Sequence, residues 1–169
     1  AFGGAAFAFM AASPAMAFQL STTDGNNNRP SSGIDVAPSG SDDGLNQDIN
    51  SLLGKSNSDQ KGISSFSLNG APGGVASMIV EIAGFAPDNT FGIYDPNDSG
   101  TKVELFGGSN TVPDEITFND SALGVQEFAF YLSTPEGNTF YQEDSLNGGN
   151  AQSLVFDEGD GLYTVAFED

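Results

Sequence analysis

The sequence predicts an all-β domain, an antiparallel β-sandwich or jelly-roll-like fold with one short N-terminal helix. Three observations carry that prediction. From Gly62 onward the chain breaks into short apolar runs, several of them alternating apolar and polar residues as half-buried strands do. Clusters of Gly, Pro, Asn and Asp separate the runs, at the spacing of a sandwich or barrel. No run alternates with a long helical pattern, so nothing supports a βαβ repeat. Composition sets a condition on the core. Only 38% of the 169 residues are apolar and 22 are Gly, so the 14 Phe residues must gather on one side of a sheet to build one.

The N-terminal third reads differently. Residues 1–17, AFGGAAFAFMAASPAMA, are small, apolar and uncharged and end in Ala15-Met16-Ala17. They resemble the apolar region and cleavage site of a secretory signal peptide, truncated at its start and cut after Ala17. The rival reading is a structural strand or helix buried against another subunit. Residues 18–44 form a linker, since Ser21 to Gly44 is dominated by Asn, Ser, Gly, Asp and Pro without apolar periodicity. Residues 45–169 form the sandwich domain. Its first element is a helix near residues 45–53, where Leu45, Ile49, Leu52 and Leu53 recur at helical spacing, with Asp42 or Asp43 as N-cap and Gly54 as stop.

The strands follow in order. Ile63, Phe66 and Leu68 mark the first, and Val75 to Ala83 is apolar enough to be central. Phe91 to Tyr94, Lys102 to Phe106 and Glu115 to Asn119 come next. Gln126 to Leu132 sets Phe128, Phe130 and Leu132 on one face. Thr139 to Gln142 is short, and Ser153 to Phe156 and Leu162 to Phe167 close the chain.

Charge and missing residue types exclude several functions. The net charge is −19, and from Ile63 onward Lys102 is the one cation. Such a surface excludes nucleic acid and an anionic membrane as partners. Cys, His and Trp are absent. Disulfides, thiol nucleophiles, ordinary zinc sites and a Ser-His-Asp triad are therefore excluded. A glycosidase would need two carboxylates set across a sugar site, and no pair stands out. The chain is expected not to be an enzyme.

Calcium is the cofactor the acids point to, because Ca²⁺ takes carboxylate and carbonyl oxygens. The run Asp95-Pro96-Asn97-Asp98-Ser99-Gly100 partly matches the opening of a calcium loop, but Phe106 stands where an EF-hand needs its chelating Glu. A non-EF site of Asp95, Asp98 and Glu104, joined by Asp157 and Asp160 of the loop Asp157-Glu158-Gly159-Asp160-Gly161, is the candidate set. The competing reading is a plain hairpin turn and a solvated loop. Glu143-Asp144 and Glu168-Asp169 are further acidic pairs. Tyr94, Tyr131, Tyr141 and Tyr163 could offer an aromatic contact to a sugar, or sit in strands with their rings in the core.

A resemblance adds to this reading. Ile79 through Asp95, IVEIAGFAPDNTFGIYD, followed by Lys102-Val103-Glu104-Leu105-Phe106, resembles the domain-of-unknown-function 4114 family. Phe128 to Leu132 and Thr139 to Asn147 resemble its second signature, and Val165 to Asp169 the start of its closing motif. The likeness covers roughly Ile63 to Asp169. It implies an extracytoplasmic β-rich domain with no assigned chemistry, found in secreted bacterial proteins with PEP-CTERM sorting signals and within large adhesins. It also implies that this sequence is a fragment whose final strand is missing, an absence that would uncover Phe156 or Phe167.

The expected function is thus a secreted or cell-surface, non-enzymatic module of the extracellular matrix or adhesin type, with calcium as its candidate stabiliser. Extracellular polysaccharide and other matrix proteins are the expected partners, with no membrane span in the mature fragment. Two other classes stay open: a carbohydrate-binding module, and a self-assembling structural subunit that forms homo-oligomers.

Overall fold

Strand periodicity becomes two stacked sheets in the computed structural model, which describes residues 4–9, 21–22, 54–55, 59, 61–68, 70–81, 88–107, 114–149 and 152–168. The strands are β1 Gly4–Phe9, β2 Ser21–Thr22, β3 Phe66–Ser67, β4 Gly73–Glu81, β5 Thr90–Asp95, β6 Asp98–Phe106, β7 Asp114–Asn119, β8 Glu127–Ser133, β9 Thr139–Tyr141, β10 Ser153–Gly159 and β11 Leu162–Glu168. One sheet runs β10-β11-β1-β4-β7. The other runs β2-β3-β8-β5-β6, with β9 beside β8. The all-β architecture expected from the sequence is the architecture observed, with every pairing antiparallel.

Alternation puts the phenylalanines inside. On β8, Phe128, Phe130 and Leu132 face the core while Ala129 and Tyr131 face away, because successive strand residues point to opposite faces. Phe91 of β5 stacks on Phe130 with ring centroids 5.3 Å apart. Phe91 also meets Phe167 of β11 at 5.7 Å, and Phe66 meets Tyr163 at 5.0 Å. These last two contacts tie the two sheets together. Phe156 and Phe167, which the sequence placed beside a missing strand, are each 1% exposed. Phe167 is covered in the core, and Lys55 lies over the Phe156 ring, 6.0 Å from its centroid, while pairing with Glu158.

Gln142 closes a gap that the strand lengths leave. β3 pairs with the start of β8 and β9 with its end, so the edge of β8 is interrupted between them. Gln142 sits in the interruption, fully buried. Its backbone N–H donates to Phe130 O at 2.9 Å. The Phe130 N–H donates to Gln142 Oε1 at 3.1 Å, and Gln142 Nε2 donates to Ile63 O at 2.8 Å. The side-chain amide therefore acts as one extra peptide unit, satisfying backbone groups whose burial unpaired is costly.

Two-residue turns close the hairpins. In β5–β6, Asp95 pairs with Asp98 around Pro96 and Asn97. In β10–β11, Gly159 pairs with Leu162, and Asp160 and Gly161 have φ of 55° and 78°. Positive φ at both central residues makes this the Asp-Gly turn that matches strand twist. A short helix, α1 Asp120–Leu123, ends at Gly124, whose N–H donates to Asp120 O.

β1 lies between β11 and β4. The segment read as a signal peptide thus supplies a central strand here, and cleavage after Ala17 would remove it. The helix expected near residues 45–53 and most of the linker of residues 18–44 lie outside the described residues; Ser21 and Thr22 of that linker form β2. Among the described residues no helix is long and apolar enough to cross a membrane.

Candidate functional site

The acidic turn residues are bound by their own turns. Asp95 Oδ1 accepts from the Asn97 N–H at 2.9 Å and from Asn97 Nδ2 at 3.3 Å. Asp98 Oδ1 accepts from the Gly100 N–H at 3.2 Å, and its Oδ2 accepts from Thr101 Oγ1 at 2.7 Å. Asp157 Oδ1 accepts from the Gly159 N–H at 2.9 Å, and Asp160 is exposed at the tip. These are the local side-chain bonds that short acidic residues make in turns.

The structure brings the candidate residues together only in part. Strand directions and the contacts between sheets put both hairpin turns at one end of the sandwich. They belong to different sheets, however, in strands β6 and β10 that are edges of the two orders. Glu104 stands partway along β6, opposite Gly92, away from the turn. Among the described residues no group of three or more carboxylates forms that could hold a metal ion.

The densest chemistry lies elsewhere, on the outer face of the β8-containing sheet. Tyr94 pairs with Lys102 on β6 and with Ala129 on β8; Tyr131 pairs with Tyr141 on β9. Lys102 Nζ stands 5.1 Å from the Tyr131 ring centre and 4.8 Å from that of Tyr141, within range of a cation–π attraction. Tyr94 and Tyr141 meet edge to face at 5.1 Å. Gly92 makes room for this arrangement: a Cβ there would lie 2.2 Å from Val103 O and 2.7 Å from the Tyr131 ring. Any side chain at position 92 would force ring or strand apart.

Burial governs the electrostatics of this face. Tyr94 is 0% exposed, and burial first, then the Glu143 carboxylate, push its phenol well above the ordinary value of 10.0. Burial and then Glu104 push Tyr131 up to about 12. Glu143 also accepts from Ser145 Oγ. Tyr163 belongs to the core, and burial with Asp157 beside it raises its phenol as well. With Tyr94 and Tyr131 buried and Tyr141 half-buried, these three rings cluster beside Lys102, while Tyr163 packs in the core against Phe66. They do not form an open stacking platform.

The two segments of the family-like signature meet in this sheet. Phe91–Tyr94, Lys102–Phe106, Phe128–Leu132 and Thr139–Tyr141 lie on the neighbouring strands β5, β6, β8 and β9. Their odd and even residues build the Phe core and the Tyr–Lys face. The role of Lys102 was missed in the sequence. Its signal was available: the one cation after residue 62 alternates with Val103 on a strand and shares the outward phase of Glu104. Compared with protein-family models, curated proteins and solved structures, the chain matches none.

Proposed function

We propose that this chain is a non-catalytic β-sandwich module of the extracellular matrix or adhesin type, exported from the cell. What supports the reading is how its polar groups are used. The hairpin carboxylates accept bonds from their own turns, and the tyrosines close on Lys102, so both clusters serve the scaffold. The acidic surface favours solubility and mutual repulsion. Fractionation of cells expressing the tagged full-length gene product tests this. The product is expected in the medium or matrix, and confinement to the cytoplasm would end the proposal. Turnover on a panel of glycosides would separately refute the non-catalytic part.

A second reading, a self-assembling subunit, draws on one observation. β1 fills a place between two strands and is followed by a long sequence before β3, so a second copy could supply the same strand by swapping. Ala6 pairs with Ala166. In a chain without cysteines, an Ala6→Cys, Ala166→Cys variant reports the source of the strand. Covalent dimers and ladders support swapping, and cross-linked monomers alone rule it out.

A further inference from the structure

The edge strands of the two sheets differ in character. β10 is partly closed, since the Lys61 N–H donates to Val155 O at 2.7 Å. The charged residues of β7 are acids alone, Asp114 and Glu115, so a second copy of that strand would be repelled. β2 and β9 are two and three residues long. β6 has nine residues and pairs with β5 on one side, and among the described residues no strand pairs with its other side. Such an edge offers a row of N–H and C=O groups to another chain, and a lysine on the strand is an ordinary guard against that. Here the lysine does not stand guard. Lys102 Nζ reaches across β5 to the rings of Tyr131 on β8 and Tyr141 on β9. Glu104, two residues on and on the same face, acts on the same Tyr131 phenol. Both charges lean over the sheet and away from the edge.

We propose that β6 pairs antiparallel with β6 of a second copy of this chain, with Val103 on the twofold axis. Charge complementarity selects both the partner and the register. With Val103 facing its own copy, Lys102 faces Glu104 of the partner subunit, and the symmetry makes that pair twice. Centring the pairing on Lys102 or on Glu104 would instead set like charges face to face, which is destabilising. The twofold axis stands perpendicular to the sheet, so each outer face stays outward and the two Tyr–Lys faces join into one surface. Facing Cβ atoms on paired strands lie about 4.5–5.5 Å apart. That is inside the Debye length of about 8 Å at physiological salt. The rest of each chain's net charge of −19 opposes the approach, and salt screens its more distant part. The contact uses no residue of β1, so it holds whichever chain supplies that strand.

The test is sedimentation equilibrium of the full chain at about 0.15 M salt. A ladder of a few residues is a small contact, so monomer and dimer are expected to exchange with a Kd between about 1 μM and 1 mM. Lys102→Glu and Glu104→Lys, each alone, set like charges opposite each other and are expected to weaken self-association about tenfold or more. Mixing the two variants is expected to restore dimers as heterodimers, which a loss of fold in either variant could not do. A parent chain that stays monomeric throughout that range would overturn the proposal. So would single variants that dimerise as the parent does, or a mixture that stays monomeric. In the Ala6→Cys, Ala166→Cys chain, edge dimers are expected to separate under denaturant into internally cross-linked monomers. Covalent dimers alone would assign the association to strand swapping and overturn the edge contact.

Discussion

The two faces of strand β8 are made of the same residue class and behave differently. On the inner face Phe128 and Phe130 pack against Phe66, Phe91 and Phe118, with nothing polar to satisfy. On the outer face Tyr131 and its neighbours Tyr94 and Tyr141 bury rings of nearly the same size, but each brings a hydroxyl. The inner face gains its energy from apolar area removed from water. The outer face gains less, because part of its burial is spent on phenols with raised pKa values and on one lysine. The inner face therefore decides whether the sheet exists, and the outer face tunes how it responds to its surroundings.

The sharpest way to break this contrast is Phe130→Ala. Phe130 is fully buried between rings on both sides, and its loss is expected to cost about 3–5 kcal/mol, read from urea unfolding. A loss no larger than that of an outer-face variant would refute the asymmetry. Gln142→Ala comes next. It leaves the Phe130 N–H and Ile63 O unpaired, at about 1–3 kcal/mol for each group. Faster hydrogen exchange at the Phe130 amide would locate the damage.

The third prediction concerns pH. The folded state keeps Tyr131 neutral up to about 12, while the unfolded chain ionises it near 10.0. Below about pH 10 both states hold the proton and this group leaves stability unchanged. Above that the unfolded chain binds fewer protons, so stability falls with rising pH until about pH 12. Tyr94 and Tyr163 shift in the same direction and add to the fall. Unfolding midpoints at about pH 9 and about pH 11 measure it, and Tyr131→Phe should flatten the decline.

Smaller effects remain on the outer face. Lys102→Met removes the cation over two rings and is expected to cost about 0.5–1 kcal/mol. Tyr94→Phe deletes a hydroxyl buried without a well-aligned hydrogen-bond partner. It is expected to change stability by less than about 0.5 kcal/mol or to raise it slightly, and a loss above about 2 kcal/mol would show that the hydroxyl is held.

Legibility in the sequence followed the range of the information. The strands β3 to β11 were readable because alternation and turn residues are local: Phe128, Phe130 and Leu132 announce their face without reference to a partner. β1 was readable as a strand only as the rival to an export signal. Gly4–Phe9 is uncharged and rich in Ala, Gly and Phe, which suits an export signal equally well, and its partners Gly73–Glu81 and Leu162–Glu168 are remote in sequence. The hairpin bonds of Asp95 and Asp98 were legible as turn chemistry. Gln142 was not, because nothing in the sequence around a polar residue says that packing will bury it.

The position of β1 also governs the order in which the molecule can be completed. Hairpins β5–β6 and β10–β11 join neighbours and can form as soon as they are made, but Gly4 must wait for Glu168. During synthesis at about 5–20 residues per second, the first strand waits roughly 8–30 seconds for Glu168. β1 can pair with β4 as soon as β4 is made, and its other edge then stays open until β11 follows. Because β1 is antiparallel to both, β4 and β11 run parallel, and without β1 they could meet only in a parallel pairing that the finished sheet does not contain. Pairings this distant in sequence are slow to form, and open edges capture strands from other chains. Crowding on the ribosome or at an export channel would therefore select between a self-completed chain and one completed by its neighbour.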